Sequence, residues 1–364
     1  MGIVTEQHSY PWPDASYTGV GSWPGEDPDE AVRTVIGELP GLPHLPELPD
    51  RGVGADMIGR TGGLLVDFPV EVQPSAWRVA DTPGRDLARA TSLMSYDLDA
   101  LTEHAHAYTG TLKIQVAGPW TLAASIELRN GQRLVSDPGA YRDLAESHRE
   151  GVLAHLDEVR RRVPGARVLV QVDEPSLTAV LLGSLPTASG FGRVRAVDRV
   201  RVEAVLRQLF TAVEEAGAVP AAHCCAPGPP VDLLRRSGAR ALSLDALLLT
   251  RDHDEMIGTA VEAGVGLLLG VVPSSDAPSE QAPDTPGATT ARGPQRSPRM
   301  SDAAATVDPV RELWNRLGIT PDLLSRAVVT TPTCGLAGAT PGYARAALDA
   351  VRAGARVLRD EPRR

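Results

Sequence analysis

The sequence is short of lysine, of cysteine and of long apolar runs, and each shortage closes off a class of function. Of its 36 basic residues only Lys113 is lysine, and the rest are arginine. Against 46 acidic residues this leaves a formal charge of −10 and a pI near 5.3. A nucleic-acid partner is therefore not expected, because binding a phosphate backbone needs clustered positive charge. Three cysteines, with Cys224 and Cys225 adjacent and Cys334 far downstream, are too few and too unevenly placed for a disulfide framework. No apolar run approaches the ~20 residues of a membrane span. The longest, Ala263 to Val272, is broken by Gly264, Gly266 and Gly270. Met1 to Ser22 has no basic stretch followed by an apolar one, so no secretory signal is read there. The expectation is a cytoplasmic, acidic, globular chain that meets neither membrane nor nucleic acid, whose thiols are free for metal or catalytic work.

What is present is a core and a rhythm. The chain has 364 residues, 42% of them apolar, enough for one α/β barrel of about 250 residues with extensions. Continuous apolar runs at Leu112–Val116, Val168–Val172, Val219–Ala222, Ala241–Leu244, Val265–Val272 and Ala327–Thr330 read as parallel strands buried on both faces. An earlier strand is expected at Tyr17–Gly21 and a weaker one at His44–Leu48, among Pro43, Pro46 and Pro49. Amphipathic stretches at Tyr141–Val163, Val200–Ala216, Arg251–Ala263 and Pro341–Val357 fill the gaps as helices. Asp27-Pro28, Asp137-Pro138 and Thr340-Pro341 supply N-cap acceptors followed by a proline suited to the first helical turn. No GxGxxG follows the first strand, which removes the usual reason to choose a dinucleotide-binding open sheet. The fold expected is a single (β/α)8 TIM-type barrel over residues 17–364, preceded by an N-terminal extension, 1–16. Residues 273–306, dense in Pro, Ser, Ala and Gly, are expected to be a disordered surface insertion.

In such a barrel functional groups gather at the C-terminal ends of the strands. The expected strands run into Gly21-Ser22-Trp23-Pro24, Gly118-Pro119-Trp120-Thr121, Asp173-Glu174-Pro175, His223-Cys224-Cys225, Asp245 and Thr333-Cys334-Gly335. His223, Cys225, Asp245 and Cys334 together have the chemistry of a zinc shell, with two thiolates, an imidazole and a carboxylate. The side-chain period of extended chain is two, so His223 and Cys225 can point the same way while Cys224 faces packing.

These pieces, in this order, resemble the C-terminal catalytic barrel of the cobalamin-independent methionine synthase family, within the wider uroporphyrinogen-decarboxylase-like superfamily. The specific part is His223-x-Cys225 with the distant Cys334-Gly335-Leu336. The resemblance implies a zinc-dependent methyltransferase acting on a thiol, homocysteine, to give methionine, with the zinc-bound thiolate as nucleophile. It implies His223, Cys225 and Cys334 as zinc ligands, with Asp245 at the place of a family glutamate. Val20, through its backbone, and Ser22 match residues that hold the amino-acid carboxylate. Asp173 matches the acid that faces the substrate amine and is the catalytic candidate. Glu47 is the candidate for a second such acid.

The sequence also departs from the family. After Val265–Val272 the family carries an Asp-x-His-Ser element with a proton-handling histidine, and here the chain reads Pro273-Ser274. Full-length members have an N-terminal second barrel that this sequence lacks, so the methyl donor is read as a methylfolate or a methyl-corrinoid, the latter on a corrinoid protein. Two other functions stay open, a metal-free uroporphyrinogen-decarboxylase-like enzyme and a zinc- or thiol-binding homologue without turnover. His148 and His155, in a helix rich in Glu and Arg, read as solvated. Lys113 falls inside a strand, facing either the barrel interior or the helices.

Overall fold

The computed structural model describes residues 9–276 and 300–362. Its centre is a parallel sheet of six strands whose spatial order follows the sequence, β3 (Thr111–Ala117), β4 (Arg167–Asp173), β5 (Val219–Cys224), β6 (Ala241–Asp245), β7 (Gly266–Val272) and β8 (Val328–Pro332). A two-stranded antiparallel ribbon, β1 (Val70–Val72) and β2 (Trp77–Val79), precedes it. Each of the six apolar runs expected to be a strand is one, within one or two residues at either end.

Helices connect and cover the strands. In chain order they are α1 (Pro28–Glu38), α2 (Met57–Gly62), α3 (Arg85–Ala105), α4 (Pro119–Ser125), α5 (Pro138–Arg162), α6 (Leu177–Leu182), α7 (Arg199–Glu215), α8 (Val231–Arg236), α9 (Asp254–Glu262), α10 (Ala303–Leu317), α11 (Leu324–Ala327) and α12 (Pro341–Asp360). The helix starts read from sequence are capped as expected. Asp27 Oδ1 accepts from the Asp29 and Glu30 amides, Asp137 Oδ1 from those of Gly139 and Ala140, and Thr340 Oγ1 from that of Tyr343. Each cap satisfies amides that the first helical turn otherwise leaves without partners.

The outer strands β3 and β8 are joined through two extended segments. Thr18 N donates to Thr330 O (3.1 Å) and Thr330 N to Ser16 O (3.3 Å), which ties the first segment to β8. Trp23 N donates to Glu47 O (2.8 Å) and Glu47 N to Gly21 O (3.2 Å), linking the segments to each other. Leu45 N donates to Lys113 O (2.9 Å) and Lys113 N to Pro43 O (2.9 Å), which ties the second segment to β3. The strands expected at Tyr17–Gly21 and His44–Leu48 are thus present as isolated parallel bridges and not as regular strands. Prolines at 43, 46 and 49 carry no N–H, so the second segment cannot build a continuous ladder.

Two apolar layers result. The larger packs helices on the outer sheet face and includes Cys224, fully buried. The smaller lies within the curve of the sheet and joins Trp12, Leu42, Leu169, Val219, Ala221, Ala241, Leu268 and Val329. Trp12 closes its lower end, its Nε1 donating to Arg326 O (3.0 Å), and its ring occupies the space that a Cβ on Gly266 would need. Residues 9–16 therefore contribute to the core.

Two expectations are corrected. His148 and His155 are not solvated: they are 1% and 4% exposed, on the α5 stripe that also buries Tyr141, Leu144, Val152 and Val159. His148 Nε2 is 2.9 Å from Ala117 O, and burial pushes the two imidazoles down to about 4 and about 3. The expected insertion reaches too far at its C-terminal end. Asp302 caps α10 by accepting from the Ala304 and Ala305 amides (3.1 Å each), and Thr306 is fully buried in that helix. The alanine run that read as low complexity is a good helix former once capped. Most of that expected insertion, residues 277–299, lies outside the described residues. Among the described residues no helix is long and apolar enough to cross a membrane.

Candidate metal and thiol site

Period-two geometry places the polar groups. In β5, Val219, Ala221 and His223 face inward, and Cys225 follows as the strand ends. In β4, Gln171 and Asp173 share that face, as do Lys113 and Gln115 in β3. Cys334 comes from the loop after β8, pinned by Leu336 N donating to Ser22 O (2.8 Å) and Ala337 N to Ser22 Oγ (3.3 Å). Only glycine fits beside that junction, because a Cβ on Gly335 would collide with Ser22 Oγ.

The outcome is a cavity of about 240 Å3 whose walls include Val20, Ser22, Glu47, Asp173, His223, Cys225 and Cys334. Seven of the eight residues singled out in the sequence meet there. The ligand atoms of His223, Cys225 and Cys334 all lie within 4.8 Å of one another. Asp245 stays outside that cluster. Its Oδ1 accepts from Leu247 N (2.9 Å) and caps a short 3-10 turn at Ala246–Leu248. Burial raises its carboxyl to about 6, the Leu247 amide working the other way.

The donor set fits a metal ion. His223 Nε2 is buried without a hydrogen-bond partner, while Nδ1 lies 2.9 Å from Ser243 Oγ, which fixes the ring's orientation. An orphaned imidazole nitrogen inside a protein is costly unless something coordinates it. Beside it the two sulfurs are 3.3 Å apart and share a proton. The hydrogen bond between them holds Cys334 down to about 4, burial opposing and His223 assisting. For the same reason Cys225 is pushed far up. Burial would lower the His223 pKa, but Cys334 and Asp173 overrule it and the net direction is upward.

Below the sulfurs lies a charged layer. Asp173 Oδ1 accepts from Gln171 Nε2 (2.8 Å), and burial lifts its carboxyl to about 6 against the pull of His223 and Lys113. Burial lifts Glu47 to about 7, opposed first by Arg60, whose Nε is 3.7 Å from Glu47 Oε1. The Lys113 side chain turns inward and is fully buried. Its Nζ donates to Val20 O (2.5 Å) and Gln115 Oε1 (3.3 Å), and burial drops it to about 8 while Asp173 and Glu47 support its charge. Gln171 Nε2 also donates to Val20 O (3.0 Å), so the Val20 backbone is fixed at the cavity wall.

Several contributors have no role assigned to them from sequence. Gln171 and Ser243 sit two residues before Asp173 and Asp245, so the strand period could have found them. Arg60 lies in a short helix with no motif around it. It is 3% exposed and pairs with Asp97, which Arg51 also meets at 2.7 Å. Glu174 accepts from the amides of Trp120 (3.0 Å) and Thr121 (2.7 Å) and from Thr121 Oγ1 (2.7 Å), locking the start of α4 to the end of β4.

Residues 15–285 match the family model described as the catalytic domain of cobalamin-independent synthase. The chain matches no curated protein. Among solved structures it is similar to a B12-independent methionine synthase from Shewanella sp. W3-18-1 in complex with selenomethionine, with 14% identity and a TM-score of 0.58 over 96% of this chain and 99% of that one. That likeness bears on the fold. A second similarity, to the carboxyl transferase domain of Rhizobium etli pyruvate carboxylase with pyruvate, has 14% identity and a TM-score of 0.27 over 72% of this chain and 44% of that one, and carries no argument.

Proposed function

The chain belongs to the family of cobalamin-independent synthase catalytic domains, a methyltransferase family, and from that premise we propose that it methylates the thiol of homocysteine to give methionine. The observation that carries the proposal is the cluster of His223, Cys225 and Cys334 at one end of a cavity whose other wall holds two carboxyls. A borderline-soft donor set of one nitrogen and two sulfurs suits zinc, and a catalytic zinc site keeps a position open for substrate. His223, Cys225 and Cys334 would hold the ion, and bound zinc would lower the pKa of the acceptor thiol so that the thiolate forms near neutral pH. Asp245 is the candidate fourth ligand from sequence. Its engagement with Leu247 leaves three side chains as the set that the geometry favours.

The remaining work falls to the chain. Asp173 and Glu47 face the cavity and would receive the substrate ammonium by charge-assisted contacts. Lys113 lies beneath both carboxyls and favours their ionised forms. Ser22 and the Val20 backbone line the same wall and are the candidates for the carboxylate end. In the transfer the acceptor sulfur forms its bond to the methyl carbon as the donor's nitrogen–carbon bond breaks, the electron pair staying on that nitrogen, which takes up a proton from water. The donor we read is a methylated folate. A corrinoid or corrinoid-protein donor has no support in a family defined as cobalamin-independent. No histidine stands in 270–276, so the family's proton-handling element has no counterpart there.

We read the two extended segments between β8 and β3 as the first and second strands of a closed (β/α)8 barrel and propose residues 17–364 as its extent. A uroporphyrinogen-decarboxylase-like chemistry explains neither the clustered thiols nor the family match. A zinc-binding homologue without turnover remains the reading to test against. Elemental analysis of chelator-washed protein should give about one zinc per chain, and the loaded protein should form methionine from homocysteine and methyltetrahydrofolate. Absence of zinc from folded, reduced protein would remove the metal site. Stoichiometric zinc without methyl transfer from folate would leave the binding homologue.

A further inference from the structure

A second cavity, larger than the thiol site, lies elsewhere in the described structure. It measures about 710 Å3 and lies between the loop from α4 to α5 and the loop from α6 to α7. Its lining holds four arginines, Arg133, Arg193, Arg195 and Arg201, and a single carboxylate, Asp198. Asp198 caps α7, its Oδ1 accepting from Val200 N (2.8 Å), and offsets part of the Arg201 charge, which leaves the arginines in excess. Arg133 donates from Nε to Pro186 O (2.9 Å) and from Nη1 to Ala124 O, so its charge is anchored on carbonyls, with no carboxylate partner among the described residues. Arg201 donates from Nη1 to Tyr141 Oη (3.2 Å). Arg193 and Arg195 are exposed on the outgoing limb of a hairpin-like turn bridged between Pro186 and Arg193. In a chain of net charge −10, where many other arginines are ion-paired, this is a concentrated and unbalanced positive field. Val135, Val194, Val197 and Tyr141 supply apolar surface between the charges.

We propose that this cavity binds a small organic polyanion, with carboxylate or phosphate groups on the arginines and a carbon body against the valines and Tyr141. Guanidinium groups favour both anion types because their paired donors match either geometry, and the volume is that of a typical ligand pocket. The site shares no lining residue with the thiol cavity and is joined to it only through packing. Tyr141 packs on Trp120 with ring centroids 5.1 Å apart, and the Trp120 amide is held by Glu174, the neighbour of Asp173.

That packing supplies the readout, because occupancy next to Tyr141 should perturb Trp120 fluorescence. The full-length protein would be titrated by calorimetry and fluorescence with fructose 1,6-bisphosphate as the phosphate probe and benzene-1,3,5-tricarboxylate as the carboxylate probe. Sodium chloride at matched ionic strength is the control. At least one probe should bind saturably at one site per chain, and which one binds identifies the anion chemistry. Arg193→Ala/Arg195→Ala, two exposed positions whose loss should leave the melting temperature unchanged, should weaken that binding at least tenfold. Neither probe saturating on wild-type protein, chloride giving the same response, or the double variant binding as tightly as wild type would each overturn the proposal. Zinc content and methyl transfer play no part in these readings, so they stand apart from the function proposed above.

Discussion

Glu174 sets two effects against each other, and their balance can be measured. Three donors converge on its carboxylate, two backbone amides and the Thr121 hydroxyl, and hydrogen bonds to a charged form lower a pKa. Yet the side chain is fully buried, and desolvation prevails, raising its carboxyl to about 7 from an ordinary value near 4.5. A rise of this size corresponds to about 3 kcal/mol, at about 1.4 kcal/mol per unit. The sign follows from proton counting. Between pH 4.5 and 7 the folded state binds more protons at this residue than the unfolded state, so its stabilising contribution is complete below pH 4.5. That contribution is lost as pH rises to about 7.

Glu174→Gln removes the titration and keeps the shape. At pH 5 the variant should be less stable by about 1–3 kcal/mol, because its amide nitrogen faces the Thr121 N–H and leaves one buried donor unsatisfied. In the native protein the Thr121 hydroxyl can turn round and accept from the protonated carboxyl. At pH 8 the native protein has lost about 3 kcal/mol through desolvation of the charge. The variant should then match it or exceed it. Urea denaturation of both proteins at half-unit steps from pH 5 to 8, metal-free, reads the difference, and the contribution of every other titrating group cancels to first order. A stability difference that stays constant across this range would refute the reasoning and mean that the three donors outweigh burial.

Gly118→Ala tests the same junction sterically. A Cβ there would collide with the Glu174 carboxyl, so a loss of about 2–3 kcal/mol is expected, largely recovered when Glu174→Ala is added; a second variant that worsens the loss would contradict the clash. His155 is buried with Nε2 lacking a partner, and its pKa sits near 3. The unfolded state thus takes up its proton first, and stability falls as pH drops below about 6.5. His155→Leu should flatten that acid limb in thermal melts between pH 4 and 7, and an unchanged limb would exclude His155 as its source. Lys113→Met should push the carboxyls of Glu47 and Asp173 further up, moving the pH above which homocysteine saturates by about a unit. Coincident pH profiles of kcat/KM would show that the ammonium does not act on them. Cys334→Ser should weaken zinc more than a hundredfold in chelator competition with the melting temperature of the metal-free protein unchanged. Retention of stoichiometric zinc would take Cys334 out of the ligand set.

How much the sequence disclosed depended on whether the deciding signal was local. The strands of the parallel sheet were legible because burial on both faces leaves an apolar run that no helix of that length would need. The cavity residues were legible because strand ends are where a β/α fold delivers side chains, and a period of two sorts Cys225 from Cys224. Composition misled where period would have served. Tyr141, Leu144, His148, Val152, His155 and Val159 step by three or four residues along one face of α5. The Glu and Arg between them belong to the other face. Asp245 marks a different boundary. Its place at the end of β6 was right, but whether a carboxylate reaches a metal or caps the next turn is decided by the chain that follows it, and Leu247 N captures the oxygen first. Trp12 had no local signal at all, because the layer that it closes is assembled from strands reaching from Leu169 to Val329. Lys113 lies between these cases. The sequence showed a lone lysine in a strand and could not say which face it took. The answer comes from across the sheet, where Val20 O, Glu47 and Asp173 are the groups that make an inward ammonium cheaper than an outward one among the helices.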